Sequence, residues 1–241
     1  RSCASSSPGS ASPGPSLWGA IDMFRDFDFQ VIVEGAPILW DGMLITLLLT
    51  AVAIVGGILF GTVLALMRLS KYMVLSLVAG RYVDAFRSTP LILVIFWFYF
   101  AVPIVVGQPI GDLYSVLIAF TLFEAAYYCE IIRAGIQSVT RAQINAGLAL
   151  GLTYRQTMGY VILPQAFRNM VPVLLTQAIV LFQDTSLVYV VGLKDFLTAA
   201  DLIAVRDNRV VELYFTAAVV YFVLCMIGSL WVRKLQRQYA I

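Results

Sequence analysis

The segment 42–67 constrains the fold of this chain most strongly, because it contains no charged residue over more than the length of a membrane crossing. A transmembrane helix needs roughly 20 predominantly apolar residues. The whole chain has a similar character, since 61% of its residues are hydrophobic and only 12% are charged. Soluble domains have about 45–50% apolar and 25% charged residues. The sequence therefore predicts an integral membrane protein.

Further apolar segments follow along the chain, and none of them alternates between polar and apolar residues as the strands of a membrane barrel do. We therefore predict an all-α membrane protein with about five transmembrane helices. The predicted spans are 42–67, 91–106, 113–132, 172–191 and 211–232.

Lysine and arginine are unevenly distributed over the segments that connect these spans. Cytoplasmic loops carry an excess of both residues, which places the loops after the first and third spans, and the tail, in the cytoplasm. The predicted topology thus has the N-terminus outside and the C-terminus in the cytoplasm. The basic residues in question are Arg68, Lys71, Arg81 and Arg87, then Arg133, Arg141, Arg155 and Arg168, and finally Arg233, Lys234 and Arg237.

Residues 1–22 differ from the rest of the chain in composition. They are rich in Ser, Pro, Gly and Ala and lack the continuous apolar core of a signal peptide. Met23 opens a segment of different character. We predict that residues 1–22 are a disordered or non-native extension and that residues 23–241 form a single transmembrane domain.

The residue types present exclude several chemistries. The chain has no histidine, which excludes His-based triads and His metal sites. Cys3, Cys129 and Cys225 are isolated and have no metal-ligand spacing. No G-x-x-x-x-G-K-[ST] phosphate loop occurs. We expect no catalytic residue, no metal and no cofactor on this chain, and no nucleic-acid partner.

The segment 133–168 is too polar and too interrupted to cross a membrane, and we predict two short helices in it. The pairs Thr140–Gln143 and Thr153–Gln156 have the spacing of capping boxes and mark the two helix starts. Gly151 ends the first helix, and Pro164 is expected to end the second. The predicted helices are 141–150 and 154–162.

The first of these helices presents small apolar residues on one side, with Gly147 leaving its backbone approachable. Such a surface suits docking into a groove on another protein. An interfacial helix that lies on lipid is the alternative.

The same segment resembles the signature loop of ABC-importer membrane subunits, written E-A-A-x3-G-x9-I-x-L-P. In that family the loop forms a coupling helix that sits in a cleft of the cytoplasmic ATPase. Asn145, Gly147 and Val161 depart from the Glu, Ala and Ile of the pattern. The residues that the resemblance assigns to ATPase coupling are Asn145, Ala146, Gly147, Leu148, Gly151, Leu163 and Pro164.

The resemblance extends over most of the chain after residue 41. The runs 86–91, 130–138 and 163–168 are similar to the polar amino-acid uptake branch, and 182–190 with 123–132 looks like one of the two permease subunits of bacterial glutamate/aspartate importers. This resemblance implies the bacterial inner membrane, a second homologous permease subunit, and two ATPase subunits that bind ATP and Mg²⁺. It also implies a periplasmic solute-binding protein, for which the external segment 195–209 is our candidate contact.

Several polar residues lie where lipid is expected. An ionised Glu124 near the middle of the third span is costly, so it is protonated, paired with a polar group, or exposed to a water-filled path. The cluster at the end of the fourth span faces the translocation path or the partner, or else breaks the helix and caps the next one. The path candidates are Glu124, Gln177, Gln183, Asp184, Thr185 and Ser186.

Glu130 and Arg133 are three residues apart and share one helical face. They form either a local ion pair or a gate contact.

Three functions compete on these observations. The leading one is a transport subunit driven by ATP that is bound elsewhere. The second is an intramembrane enzyme, which would need converging carboxylates, and only Glu124 and Asp184 lie in the spans. The third is a channel or scaffold subunit that works without ATP.

Overall fold

A computed structural model describes residues 27–108 and 111–239, and these residues are almost entirely helical, without a β-strand. The predicted extension 1–22 lies outside the described residues. Helix α1 spans Phe29–Arg68 and begins at Asp28, whose side chain accepts a hydrogen bond from the Gln30 amide at 2.8 Å. Its 40 residues correspond to roughly 60 Å. The helix therefore extends well beyond the predicted span 42–67.

The next two helices form a bent pair. Helix α2 spans Met73–Arg87, and α3 spans Leu91–Val106 at an angle of 104° to it. Pro90 directly precedes α3, and a π-helical turn, Trp97–Ala101, lies inside α3. The predicted span 91–106 coincides with α3, but α3 alone is short for a bilayer.

The remaining helices complete the domain. By length and composition, four described helices can cross a membrane, or five if the bent pair counts as one span. This agrees with the prediction of about five. The bounds are α4 Asp112–Gln137, α5 Arg141–Ala149, α6 Tyr154–Val191, α7 Phe196–Asp207 and α8 Val210–Tyr239.

The core is centred on α1 and α4, which approach closely because α1 carries glycine at the contact. A Cβ atom added to Gly57 would lie 2.9 Å from Tyr128 Cδ2 and 3.0 Å from Glu124 Cβ. One added to Gly61 would lie 2.8 Å from the Ala125 carbonyl oxygen. These glycines therefore serve close packing, and they place Glu124 of α4 against the backbone of α1.

Helix α7 packs on the N-terminal half of α1. The Phe196 amide donates to Thr46 Oγ1 at 3.0 Å across this contact. Asp195 caps α7 by accepting from the amides of Leu197 and Thr198 at 3.1 and 2.9 Å. Asp195 is fully buried, and this burial raises the pKa of its carboxyl group above the ordinary value.

Candidate functional site

The loop between α4 and α6 folds as a helix-turn-helix, as predicted, but its start differs from the prediction. The Thr140 side chain makes no capping hydrogen bond. Instead, the Gln143 amide donates to the Thr140 carbonyl oxygen at 3.1 Å. Because this backbone acceptor already serves the donor, the capping box predicted for this pair does not form.

The turn of the loop is built by Gly151 and by the second capping pair. Gly151 has φ +81°, a left-handed conformation that glycine adopts without steric cost. Its amide donates to the Leu148 carbonyl at 3.0 Å, and the Leu152 amide donates to the Gly147 carbonyl at 3.1 Å, which is a Schellman motif. The predicted capping box of Thr153 with Gln156 is present. The predicted start of α6 is thereby confirmed.

The prediction that Pro164 ends the second helix is wrong. Helix α6 continues from Tyr154 to Val191 as a single candidate span. A π-helical turn, Met158–Ile162, lies just before Leu163 and Pro164, and Pro164 occupies the first turn of the α-helical segment that follows. Proline is tolerated in a first helical turn, and the π-turn changes the hydrogen-bond register at the point where proline lacks a donor.

Gly147 is needed inside the loop itself. It is the buried residue of α5, and a Cβ atom added to it would lie 2.7 Å from Thr157 Cγ2 and 2.9 Å from Thr157 Oγ1. This contact gives a physical reason for glycine where the family pattern has alanine. The close approach that we expected Gly147 to offer to a partner is made to α6 instead.

The outer surface of the loop remains uncovered. Leu148, a predicted coupling residue, is 46% exposed, and the predicted coupling residues Asn145 and Ala146 are also exposed. Leu150, just after α5, is 82% exposed. On α6, Leu163 is 45% exposed. An apolar surface of this kind, carried on a rigid turn, is suited to a groove on another protein.

Inside the membrane domain, the structure brings Glu124 and Gln177 together. Glu124 is fully buried, and Gln177 Nε2 lies 3.2 Å from both of its carboxylate oxygens. The contact joins α4 to α6, which supports the reading of Glu124 as paired with a polar group. Tyr128, one turn further along α4, has a buried hydroxyl with no partner among the described residues.

The cluster at the end of the fourth predicted span follows this contact along α6. The helix tightens there into a 3₁₀ turn, Thr185–Val191. Thr185 donates to the Phe182 carbonyl at 2.7 Å, and Ser186 donates to the Gln183 carbonyl at 2.8 Å. Asp184 makes no capping hydrogen bond, so the prediction that this cluster caps a following helix is not met. Gln183 and Ser186 line a cavity of about 350 Å³ together with Tyr221, Phe222 and Cys225.

Glu130 lies at the centre of an arginine cluster, of which the sequence indicated only one member. Arg133 Nη2 and Nε donate to Glu130 Oε2 at 2.6 and 3.1 Å. Arg68, at the end of α1, pairs with Glu130 Oε1, and Arg87 Nη1, at the end of α2, lies 4.0 Å from the same oxygen. Arg87 also lies over the Tyr127 ring, 5.5 Å from its centroid. Sequence spacing shows local pairs only, and so it could not reveal these two arginines.

Comparison with known proteins agrees with this architecture. Residues 54–241 match the sequence model of the family described as binding-protein-dependent transport system inner membrane component. The chain is 52% identical over 222 residues to the glutamate/aspartate import permease protein GltK of Escherichia coli O6:H1, covering 89% of this chain and 99% of that protein. It is 35% identical over 214 residues to the probable glutamine ABC transporter permease protein GlnP of Bacillus subtilis, covering 88% and 98%.

Solved structures show the same fold. The crystal structure of an amino acid ABC transporter with histidines superposes with a TM-score of 0.83 at 34% identity, covering 88% of this chain and 98% of that chain. The MetNI methionine ABC transporter in an inward-facing conformation has a TM-score of 0.63 at 20% identity, covering 87% and 96%. The second likeness concerns the fold alone.

These relatives are transport permeases rather than enzymes, and their family works with other ABC subunits. The likeness covers nearly the full length of the relatives and includes the membrane helices. It also includes the segment 133–168, which we call the coupling loop after the family pattern it resembles. The chain therefore belongs to the inner-membrane components of binding-protein-dependent transport systems, as a multi-pass permease subunit of the amino-acid ABC importers.

Proposed function

We propose that this subunit carries acidic amino acids, glutamate and aspartate, across the inner membrane as half of a translocation path. The observation that carries the proposal is the 52% identity to an import permease for these substrates, which extends over 99% of that relative. The relative named for glutamine is 35% identical. The higher identity to the glutamate/aspartate permease than to the glutamine permease favours the acidic amino acids as substrates.

The proposed assembly has a second homologous permease subunit, two ATPase subunits that hold ATP and Mg²⁺, and a periplasmic solute-binding protein. The N-terminus would lie outside and the C-terminus in the cytoplasm, which the distribution of Lys and Arg supports. In this topology the helix-turn-helix faces the ATPase. Helix α7, with Leu202 47% exposed and Val205 70% exposed, faces the binding protein.

Helix α6 supplies the mechanical link in this proposal. It begins in the coupling loop and continues to Val191 as one helix, so a displacement of the loop by the ATPase moves the segment that holds Gln177. Because the Gln177 amide is hydrogen-bonded to Glu124 of α4, this displacement of α6 changes the buried contact between the two helices. No chemistry on this chain is required.

Uptake by the reconstituted importer tests the proposal. Proteoliposomes with this subunit, its partner permease, the ATPase and the binding protein should accumulate labelled L-glutamate and L-aspartate when ATP is present, and lose this activity without ATP. Accumulation of glutamine in preference to both acids would refute the substrate assignment. Uptake that is equal with and without ATP would instead support a channel.

A further inference from the structure

The facing surfaces of α4 and α6 carry their positive charge at one end only. Lys and Arg occur on these helices only in the parts adjoining the coupling loop, as Arg133, Arg155 and Arg168. Further into the membrane domain the two surfaces meet at Glu124, whose carboxylate contacts Gln177. An anionic solute that moves along these two helices past Glu124 therefore meets a compensating charge of α4 or α6 only near the coupling loop.

A cavity of about 460 Å³ lies at that end, between α2, α4 and α6. Its polar part is formed by side chains of opposite charge and by a hydroxyl and an amide, and its wall is apolar. The polar lining residues are Arg87, Glu130, Ser138 and Asn169.

The cavity continues the contact between Glu124 and Gln177 along the same helix faces. On α4, positions 131, 135 and 138 lie on the same helix face as position 124, because the steps between them are multiples or single turns of three to four residues. On α6, positions 173 and 170 lie on the same face as position 177 for the same reason. All five of these positions line the cavity. Seven residues of helix correspond to about 10 Å, so the cavity lies roughly that far from the buried carboxylate.

The arginine cluster beside the cavity has more positive than negative charge. Three guanidinium groups share the single carboxylate of Glu130. Arg68 and Arg133 are in direct contact with it, whereas Arg87 Nη1 is 4.0 Å away, and the Arg87 side chain is 45% exposed. A guanidinium has five donors in a planar arrangement that fits a carboxylate. Arg87 therefore retains the capacity to bind a second carboxylate from the cavity.

Asn169 adds a neutral polar group on the opposite wall. Its Nδ2 donates to Ser138 Oγ at 2.9 Å. The amide keeps a second hydrogen and its carbonyl oxygen for other partners. The cavity thus offers the Arg87 guanidinium to a carboxylate and the Asn169 amide to a neighbouring polar group of the same ligand. A small zwitterion such as an amino acid carries both kinds of group.

We infer that the cavity between Arg87 and Asn169 is an exit-side binding site for a carboxylate of the transported amino acid. The inference rests on the proposed function. The solute would bind Arg87 after it has passed Glu124 and before it reaches the cytoplasm.

Cysteine accessibility in the reconstituted importer tests this site. Ala134 is exposed and lines the cavity, so Ala134→Cys reports on the local potential through its rate of reaction with anionic and cationic methanethiosulfonate reagents. The unmodified chain gives the background rate of the native cysteines. Arg87→Gln removes the proposed ligand, and Arg81→Gln removes the same charge from an exposed position of the same helix.

We expect the anionic reagent to react about 3- to 10-fold faster than the cationic one, because three guanidinium groups and one carboxylate leave two excess positive charges beside the cavity. Arg87→Gln should reduce the preference, because Arg68 and Arg133 still exceed Glu130 by one charge, and Arg81→Gln should retain it in full. L-Glutamate should slow the anionic reaction in vesicles made of zwitterionic lipid without an anionic lipid.

An unchanged preference in Arg87→Gln would overturn the inference. The inference would also be overturned if added phosphatidylglycerol slowed the anionic reaction and glutamate did not, since the bound oxyanion would then be a lipid phosphate. If the importer accumulates glutamate but glutamate gives no protection, this site is refuted and the proposed function stands. If no acidic amino acid is accumulated at all, the proposed function fails as well.

Discussion

Gly147→Ala tests whether the packing of α5 on α6 holds the coupling loop together. The added Cβ would lie 2.7 Å from Thr157 Cγ2 and 2.9 Å from Thr157 Oγ1, and Thr157 is itself buried. Overpacking of this kind costs about 1–3 kcal/mol. Replacing glycine by alanine inside a helix contributes about 1 kcal/mol in the opposite direction. The net effect is therefore a destabilisation of about 0–2 kcal/mol, borne by α5.

Hydrogen exchange of the α5 amides measures this effect, because local opening of a helix controls the exchange rate. A destabilisation of about 1.4 kcal/mol accelerates exchange roughly tenfold. Gly80→Ala is the matched control, since a Cβ atom at Gly80 meets nothing within 4 Å, and the same substitution there should slow exchange of α2.

The double variant Gly147→Ala/Thr157→Ala provides the second control. Removing both Thr157 atoms that the new methyl group meets should return α5 exchange to a rate near that of Thr157→Ala alone. If Gly147→Ala slows α5 exchange as much as Gly80→Ala slows α2 exchange, helix propensity outweighs the contact. The reasoning about the loop would then be wrong.

Three further predictions concern the loop, the buried contact and α7. Leu148→Asp, or Gly151→Pro, should leave the subunit inserted but reduce ATP-driven uptake strongly while ATP hydrolysis persists. The first variant places a charge on the exposed docking surface, and proline in the second cannot adopt φ +81°. Normal coupled uptake by both variants would contradict this. Glu124→Leu should lower the midpoint of denaturation by leaving the Gln177 amide unpaired, at a cost of about 1–3 kcal/mol, and adding Gln177→Leu should recover part of it. Burial raises the pKa of Asp195, so the stability that its protonated form provides is complete below the ordinary pKa of about 3.9 and is lost as pH rises through the raised value. Asp195→Asn should therefore flatten the stability profile above about pH 4, which thermal unfolding of the purified subunit measures.

The elements that the sequence predicted well are those set by local pattern. The uncharged segment 42–67 lies inside α1, and the capping box of Thr153 with Gln156 marks the start of α6. Both depend on residues that are close in the chain, where period, length and capping chemistry determine the structure.

The errors arise where a competing local arrangement replaces the expected one, and the omissions arise where residues distant in the chain meet. Pro164 is a strong local stop, but a π-turn before it lets α6 continue. Thr140 has a capping partner at the right spacing, yet the backbone carbonyl serves that donor. Arg68 and Arg87 meet Glu130 through the packing of three helices, and no spacing along the chain encodes that meeting.

Under the proposed function, the continuity of α6 connects the docking surface to the buried contact. Had the helix ended at Pro164, the loop could move without displacing Gln177. Because Tyr154–Val191 is one candidate span, and because Gly147 packs α5 against Thr157 at its start, we expect the two loop helices to move together with the membrane segment. Under the proposed function, a force on Leu148 would reach the hydrogen bonds at Glu124 through the contact of Gly147 with Thr157 and along α6, across the π-helical turn Met158–Ile162.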